Sequence, residues 1–157
     1  QRMGIKAHEA YGLTELMGPG VAFDCEVQDG YLHVNEDHVL IEIIDPVTGE
    51  VLPLEQKGEL VFTAIQRQAM PLLRYRTRDI TSLDESPCAC GRTMVRMKKV
   101  LGRSDDIIVI KGVKVFPSQV ESILQEVEGV EPRYQILVEQ VGGAESMELN
   151  RMVAAVY

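Results

Sequence analysis

No stretch of the 157-residue chain holds the roughly 20 consecutive apolar residues that a bilayer-spanning helix needs. A membrane partner is therefore not expected. The N-terminus also lacks the basic patch and apolar segment of a secretory signal. A basic surplus is missing too: net charge is −8 at pH 7, which speaks against nucleic acid, since phosphate backbones are bound by positive surfaces. There are only three cysteines, an odd number that fits no disulfide framework and suits a reducing, cytoplasmic compartment. Internal repeats and low-complexity tracts are absent. With 45% hydrophobic and 25% charged residues the composition is globular rather than disordered. The chain opens on Gln rather than Met, which suggests a piece of something longer; its length suits one ordinary domain, or one domain and part of another.

What is present reads as mostly strand. IKAHEA (residues 5–10) predicts a short strand leading into YGLTELMGPG, whose Gly and Pro predict a loop. YLHV and VLIEII follow as strands, with DPVTGE as a hairpin-style turn, then ELVFTAI and PLLRYRTRDI. SPCACGR reads as a knuckle-like turn before MVRMKKVLG. From Gly102 the texture changes. IIVIKGVKVF predicts two short strands about a Lys-Gly turn, and PSQVESILQEVEG a helix. In that helix Val120, Ile123, Leu124 and Val127 recur at i, i+3, i+4 and i+7, Pro117 stands near the start and Gly129 acts as a stop. YQILVEQ and MELNRMVAAVY read as strands around GGAES. The tail is thus expected to be a β-β-α-β-β unit and the whole chain α+β, with a boundary near Asp105.

Charge is uneven along the chain. Between Arg67 and Arg103 there are nine bases against three acids, a pattern that suits either a solvated face or a site for a small polyanion. Three short motifs distinguish the two: YGLTE at 11–15, YRTRD at 75–79 and GRSDD at 102–106. The Tyr11 ring can stack on a purine. The Thr14 hydroxyl can donate to a phosphate oxygen, and Glu15 offers the oxygen ligand that Mg²⁺ prefers. Asp79 can accept from both hydroxyls of a ribose, and Arg103 can pair with a ribose or phosphate oxygen. Alone, Tyr11 would read as a core residue and Asp79 as one half of a weak surface ion pair.

The three motifs, in this order and at these gaps, resemble the adenylate-forming family of acyl-CoA synthetases, luciferases and peptide-synthetase adenylation domains. GPGVAFDCE, NEDHVLIEIIDPVTGEVLP, GELVFT, PLLRYRTRD, GRSDDIIVIKGVKVFPSQVE and GVEPRYQILV are similar to one branch, the phenylacetate–CoA ligases. The resemblance covers essentially the whole chain. It implies that residues 1–104 are the β-rich end of the large adenylation domain and residues 105–157 a small mobile C-terminal domain. Acid and ATP would form an acyl-adenylate and pyrophosphate, and the thiol of CoA would then displace AMP. By that resemblance Tyr11, with Gly12 beside it, lies against adenine; Thr14 contacts the α-phosphate; Glu15 coordinates Mg²⁺; Asp79 holds the ribose; and Arg103 approaches the nucleotide. Asp105 matches the hinge, and Gly112 the position past which the pantetheine arm runs. The family's phosphate-wrapping Ser/Thr/Gly-rich loop, most of its acid pocket and its adenylation lysine have no counterpart in these 157 residues, so the chain alone is expected to be inactive. Relatives of this branch are often homodimers, and the implied partners are an aryl carboxylic acid, ATP and CoA.

Cys88 and Cys90, in PCACG, resemble half of a structural zinc site, and Cys25 and His33 are candidates for the other half. The alternative is three free, partly buried thiols. His8 reads as structural and His38 as a hydrogen-bonding side chain. Beside the ligase stands a second expectation from a different class: a non-catalytic, zinc-stapled nucleotide-binding or interaction module.

Overall fold

The computed structural model describes residues 4–110, 113–127, 134–140 and 149–156. They divide into two compact units, residues 1–100 and 101–157. The chain is mostly strand, with one helix among the described residues.

In the first unit the strands are β1 (Ala10–Leu13), β2 (Gly18–Phe23), β3 (Tyr31–Val34), β4 (Val39–Ile44), β5 (Gly58–Ala64), β6 (Tyr75–Thr81), β7 (Leu83–Asp84) and β8 (Arg96–Lys98). One antiparallel sheet runs β1-β2-β3-β8-β7, while β4, β5 and β6 pair antiparallel in that order in another. Strand periodicity explains the core. In β4, Val39, Ile43 and Ile44 are buried while Leu40 points out. β5 lies between two neighbours, and its first five residues, Gly58 to Phe62, are all buried, the charged Glu59 among them. Leu16, Val21, Ala22, Leu32, Val34, Val39, Ile43, Leu60, Phe62, Leu83 and Met97 from both sheets form one hydrophobic cluster. The expected DPVTGE turn is present: the Asp45 carboxylate accepts the Val47 and Thr48 amides at 2.8 and 2.9 Å, the Asx device that tightens such turns.

Two sequence expectations shift here. IKAHEA is not a strand; pairing begins at Ala10, so Tyr11 and Gly12 lie inside β1. The loop expected from GPG is instead strand β2, joined to β1 by the short turn at residues 14–17. Turn residues normally break strands, but here a bulge between Tyr11 and Gly12 sets Gly12 opposite Pro19, with the Gly18 carbonyl pressed against it. Any Cβ at Gly12 would collide with the Gly18 carbonyl, so close backbone approach, not ligand contact alone, demands glycine there.

The second unit contains β9 (Gly102–Arg103), β10 (Ile108–Ile110), β11 (Val113–Val115), α1 (Pro117–Gln125), β12 (Tyr134–Gln140) and β13 (Leu149–Val156). β10 pairs with β11 and β12 with β13, both antiparallel. Pro117 occupies the first turn of α1, where its missing N–H costs nothing, and the Gln119 side chain accepts the Phe116 amide at 3.2 Å. The Ser118 hydroxyl donates to the Leu101 carbonyl. The helix ends at Gln125, before Val127 of the expected apolar stripe, and Ile123 is 65% exposed. The expected stop at Gly129 and the pantetheine position Gly112 lie outside the described residues.

Candidate functional site

The first two motifs meet. Tyr11 on β1 donates its phenolic O–H to the Asp79 carboxylate on β6 at 2.5 Å, across 68 residues of sequence. The Tyr11 ring lies 6.2 Å from that of Phe62 at an interplanar angle of 26°, an offset stack on a wholly buried neighbour. A ring backed by core on one side is rigid and can present its other parts to a flat ligand.

Asp79 owes its place to an irregularity in β6. Glu59 pairs with Ile80, but Val61 pairs with Arg76, so Thr77, Arg78 and Asp79 stand opposite Leu60 alone. The Thr77 hydroxyl donates to the Leu60 carbonyl at 2.9 Å and accepts the Asp79 amide at 3.0 Å. Arg78 adopts φ 72°, a left-handed conformation unusual for a side chain of its size. Its amide donates to Glu59 at 3.2 Å, and Arg76 grips the same carboxylate through Nε at 3.1 Å and Nη2 at 2.5 Å. That grip raises the Arg76 pKa, the Glu59 hydrogen bond being the main cause. The sequence reading passed over Glu59 and Thr77. An acid in the apolar run GELVF was the available signal.

Thr14 and Glu15 sit exposed on the β1–β2 turn, anchored by the buried Leu16 that follows. The Thr14 hydroxyl is 3.2 Å from a Glu15 carboxylate oxygen, and Arg67 donates to the Glu15 carbonyl. A single exposed carboxylate beside a hydroxyl suits Mg²⁺, which takes one or two carboxylates and completes its shell from water and substrate phosphates. Next to this turn a cleft of about 180 Å³ is lined by Leu16, Met17, His38, Val39, Ala64, Gln66 and Arg67.

In the second unit Arg103 turns its guanidinium to Asp105, Nε at 3.0 Å and Nη2 at 2.9 Å, so the proposed nucleotide arginine and the proposed hinge residue form a bidentate pair.

The cysteines and histidine also come together. The ligand atoms of Cys25, His33, Cys88 and Cys90 all lie within 4.8 Å of one another. Cys25 Sγ and Cys88 Sγ are 3.7 Å apart, and Cys90 Sγ is 3.5 Å from His33 Nε2. A tetrahedral zinc with Zn–S near 2.3 Å and Zn–N near 2.0–2.1 Å puts sulfurs about 3.8 Å apart and sulfur and nitrogen about 3.5 Å apart. Those two edges fit, and 3.7 Å is far beyond the roughly 2.05 Å of a disulfide. The donors suit the ion as well. Burial, then the charges of Arg92 and Arg96, lower the His33 pKa and keep the imidazole neutral. The Cys90 thiol is pulled down to about 7, chiefly by the Arg92 backbone amide, with Cys88 and Cys25 assisting. Cys88 is raised: the Cys90 backbone lowers it, but burial and the neighbouring thiols outweigh that.

Arg96 ties the two cysteine-bearing segments together. It is 5% exposed, donates to Asp29 at 2.8 Å, Asp84 at 2.7 Å and Ser86 at 2.7 Å, and lies 4.6 Å over the Tyr31 ring. Asp29 stands between Cys25 and His33, and Ser86 just before Cys88. The other histidines stand apart: His8 bonds Asp24 at 2.7 Å, and His38 lies 3.4 Å from Asp37.

Comparisons with known proteins agree with the motifs. Residues 112–154 match the family model of the AMP-binding enzyme C-terminal domain. A phenylacetate-coenzyme A ligase of Thermus thermophilus is 48% identical over 148 residues, 94% of this chain and 33% of that protein. Another from Aromatoleum evansii is 50% identical over 150 residues, 95% of this chain and 33% of its own length. Among solved structures, 2-hydroxyisobutyryl-CoA ligase in the postadenylation state superposes with a TM-score of 0.83 at 23% identity, covering 98% of this chain and 31% of that one. The chain therefore spans about a third of the length of the relatives it matches. With its motifs and strands so matched, it belongs to the adenylate-forming phenylacetate–CoA ligase family and corresponds to the C-terminal portion of such a protein.

Proposed function

We propose that this chain supplies the adenosine-holding edge and the hinge of an ATP-dependent ligase that joins an aryl acid, phenylacetate in the first instance, to CoA. The observation that carries the reading is the Tyr11–Asp79 hydrogen bond at 2.5 Å, which unites two distant motifs at one corner of the first unit. The names of the relatives, phenylacetate-coenzyme A ligases at 48 and 50% identity, favour it over a non-catalytic module.

In the first half-reaction a carboxylate oxygen of the acid bonds to the α-phosphorus of ATP, and the bond to pyrophosphate breaks with its electron pair. In the second, the CoA sulfur bonds to the acyl carbon, AMP departs and the thiol proton goes to solvent. This chain's residues would act by placement. Tyr11 offers its ring to adenine, with Gly12 allowing the close approach of β2 beside it. Asp79 accepts the ribose hydroxyls, exchanging part of its bond with Tyr11. Thr14 donates to the α-phosphate, where charge builds in the transition state, and each 1.36 kcal/mol so gained is worth about tenfold in rate. Glu15 would hold Mg²⁺, which when bound neutralises phosphate charge. The cleft beside Leu16 and Met17 would form one wall of the acid pocket.

Asp105 is the proposed pivot of a small β-β-α-β-β domain, with Arg103 released from it toward the nucleotide and Gly112 lining the pantetheine path. Cys25, His33, Cys88 and Cys90 would hold a structural zinc that staples the β2–β3 turn to the knuckle. The protein would work in the cytoplasm, as a homodimer in keeping with the branch.

Acid-dependent ATP–pyrophosphate exchange by the full-length protein tests the reading: phenylacetate should support exchange. If no aryl acid does so while the folded protein binds ATP, the ligase assignment fails. Asp105→Pro should spare exchange and block thioester formation; equal loss of both would remove the hinge assignment.

A further inference from the structure

Glu59 is a charged side chain with no exposed surface, set near the start of a mostly apolar strand. Such a carboxylate is a poor device for stability. A buried ion pair often does no better than well-packed apolar residues of the same volume. What its bonds hold in place is therefore more informative than what they contribute to folding. One oxygen accepts the Arg78 amide and Arg76 Nε; the other accepts Arg76 Nη2. Arg76 is the last regularly paired residue before β6 gains its extra residues, and Arg78 lies among them at φ 72°. A non-glycine residue in that region is strained unless something compensates. The bond from its amide to a fixed carboxylate is such a compensation. The next residue along is Asp79, whose amide is held by Thr77 and whose carboxylate meets Tyr11.

We infer that Glu59 is a positioning residue for adenosine binding: a buried carboxylate that holds the Thr77–Asp79 bulge and thereby aims Asp79 at Tyr11 and at the ligand the two would share. It touches no ligand itself. The inference rests on the nucleotide-site reading above and adds to it the element that fixes the geometry. Thr77 is the second fastener on the same bulge, tying it to the Leu60 carbonyl from the other side.

The test is a double-mutant cycle in the full-length protein, with AMP as the probe by titration calorimetry and the thermal midpoint read in parallel. Glu59→Gln keeps the volume but leaves one acceptor oxygen for three N–H donors. It should weaken AMP binding by about tenfold, the scale of one charge-assisted hydrogen bond. Placed on Asp79→Asn, the same substitution should change AMP binding hardly at all, because the residue it acts through is already lost. Its effect on the thermal midpoint should be the same in both backgrounds. Thr77→Val, nearly isosteric, should repeat this pattern and serves if Glu59→Gln does not fold. Wild-type AMP affinity in Glu59→Gln and Thr77→Val, or full losses persisting in the Asp79→Asn background, would overturn the inference alone. Unchanged AMP affinity in Asp79→Asn would instead overturn the nucleotide-site reading beneath it.

Discussion

The first unit carries two chemical corners, and they are built in opposite ways. At one, Tyr11 and Asp79 come from different sheets and are joined by one hydrogen bond, with the acid carried on an irregular piece of strand. At the other, Cys25, His33 and Cys88 are buried, and Arg96 clamps the segments that bear them with three hydrogen bonds and a ring contact. A site that must take up and release a nucleotide keeps its polar atoms in bonds a ligand can replace. A site that holds an ion permanently can be locked beforehand. On the proposed roles the difference is one of exchangeability, and substitutions at each corner should betray it.

The largest effect is expected at the locked corner. Cys88→Ser removes one of four donors and should reduce bound metal from about one zinc per chain to none, read by elemental analysis of protein purified without added metal. Stoichiometric zinc surviving in that variant, or absent from the parent, would leave three free thiols as the better description. Next comes the clamp. Arg96→Met preserves bulk but strands Asp29 and Asp84, and should cost about 3 kcal/mol in urea unfolding, the low end for breaking a buried pair because Asp29 is partly exposed. A loss within about 0.5 kcal/mol of zero, as at an ordinary surface site, would mean that Arg96 clamps nothing.

At the exchangeable corner the pattern should invert, with binding affected and stability nearly untouched. Asp79→Ala should weaken AMP binding by about thirtyfold and Tyr11→Phe by about fivefold, since the first loses a charged acceptor and the second a single hydroxyl. Comparable losses of folding stability in both variants would show the corner to be structural after all.

The smallest effect concerns acid. Ser86, through its side chain and then its backbone, and Arg96 after it, hold the Asp84 carboxyl below its ordinary value of 3.8. A depressed carboxyl contributes stability that is complete above its unfolded pKa and is lost as pH falls through the folded one. Asp84→Asn should therefore be less stable than the parent near neutrality, with the gap closing below about pH 4. A gap that stays constant between about pH 3 and 7 would rule out that linkage.

Much of this was legible in advance for identifiable reasons. The Asp45 turn, the strand at Val39 to Ile44 and the proline-started helix are local: each follows from a few adjacent residues and from their own backbone preferences. The four metal-ligand candidates could be named because Cys and His are rare here and each has few other uses. The β6 bulge was not legible. Period-two reading assumes one residue against one, and nothing within YRTRD announces that three residues will face Leu60. The start of β1 was misplaced for a related reason, since IKAHEA has strand-like composition but only its last residue, Ala10, lies in a strand. Glu59 was missed because a lone charge in an apolar run has no meaning until its partner, 17 residues away, is known, and Arg96, counted only among nine bases, gives no sign of the Asp29 it meets 67 residues away.

By itself the sequence determined which side chains could hold adenine, ribose, phosphate or a metal, because donor type and ring shape are properties of single residues. Only the tertiary structure decided which of them stand within hydrogen-bond reach and which buried charges hold them there. Contacts across tens of residues arise when strands pair and pack, and that pairing is settled by burial of the whole core rather than by any one motif.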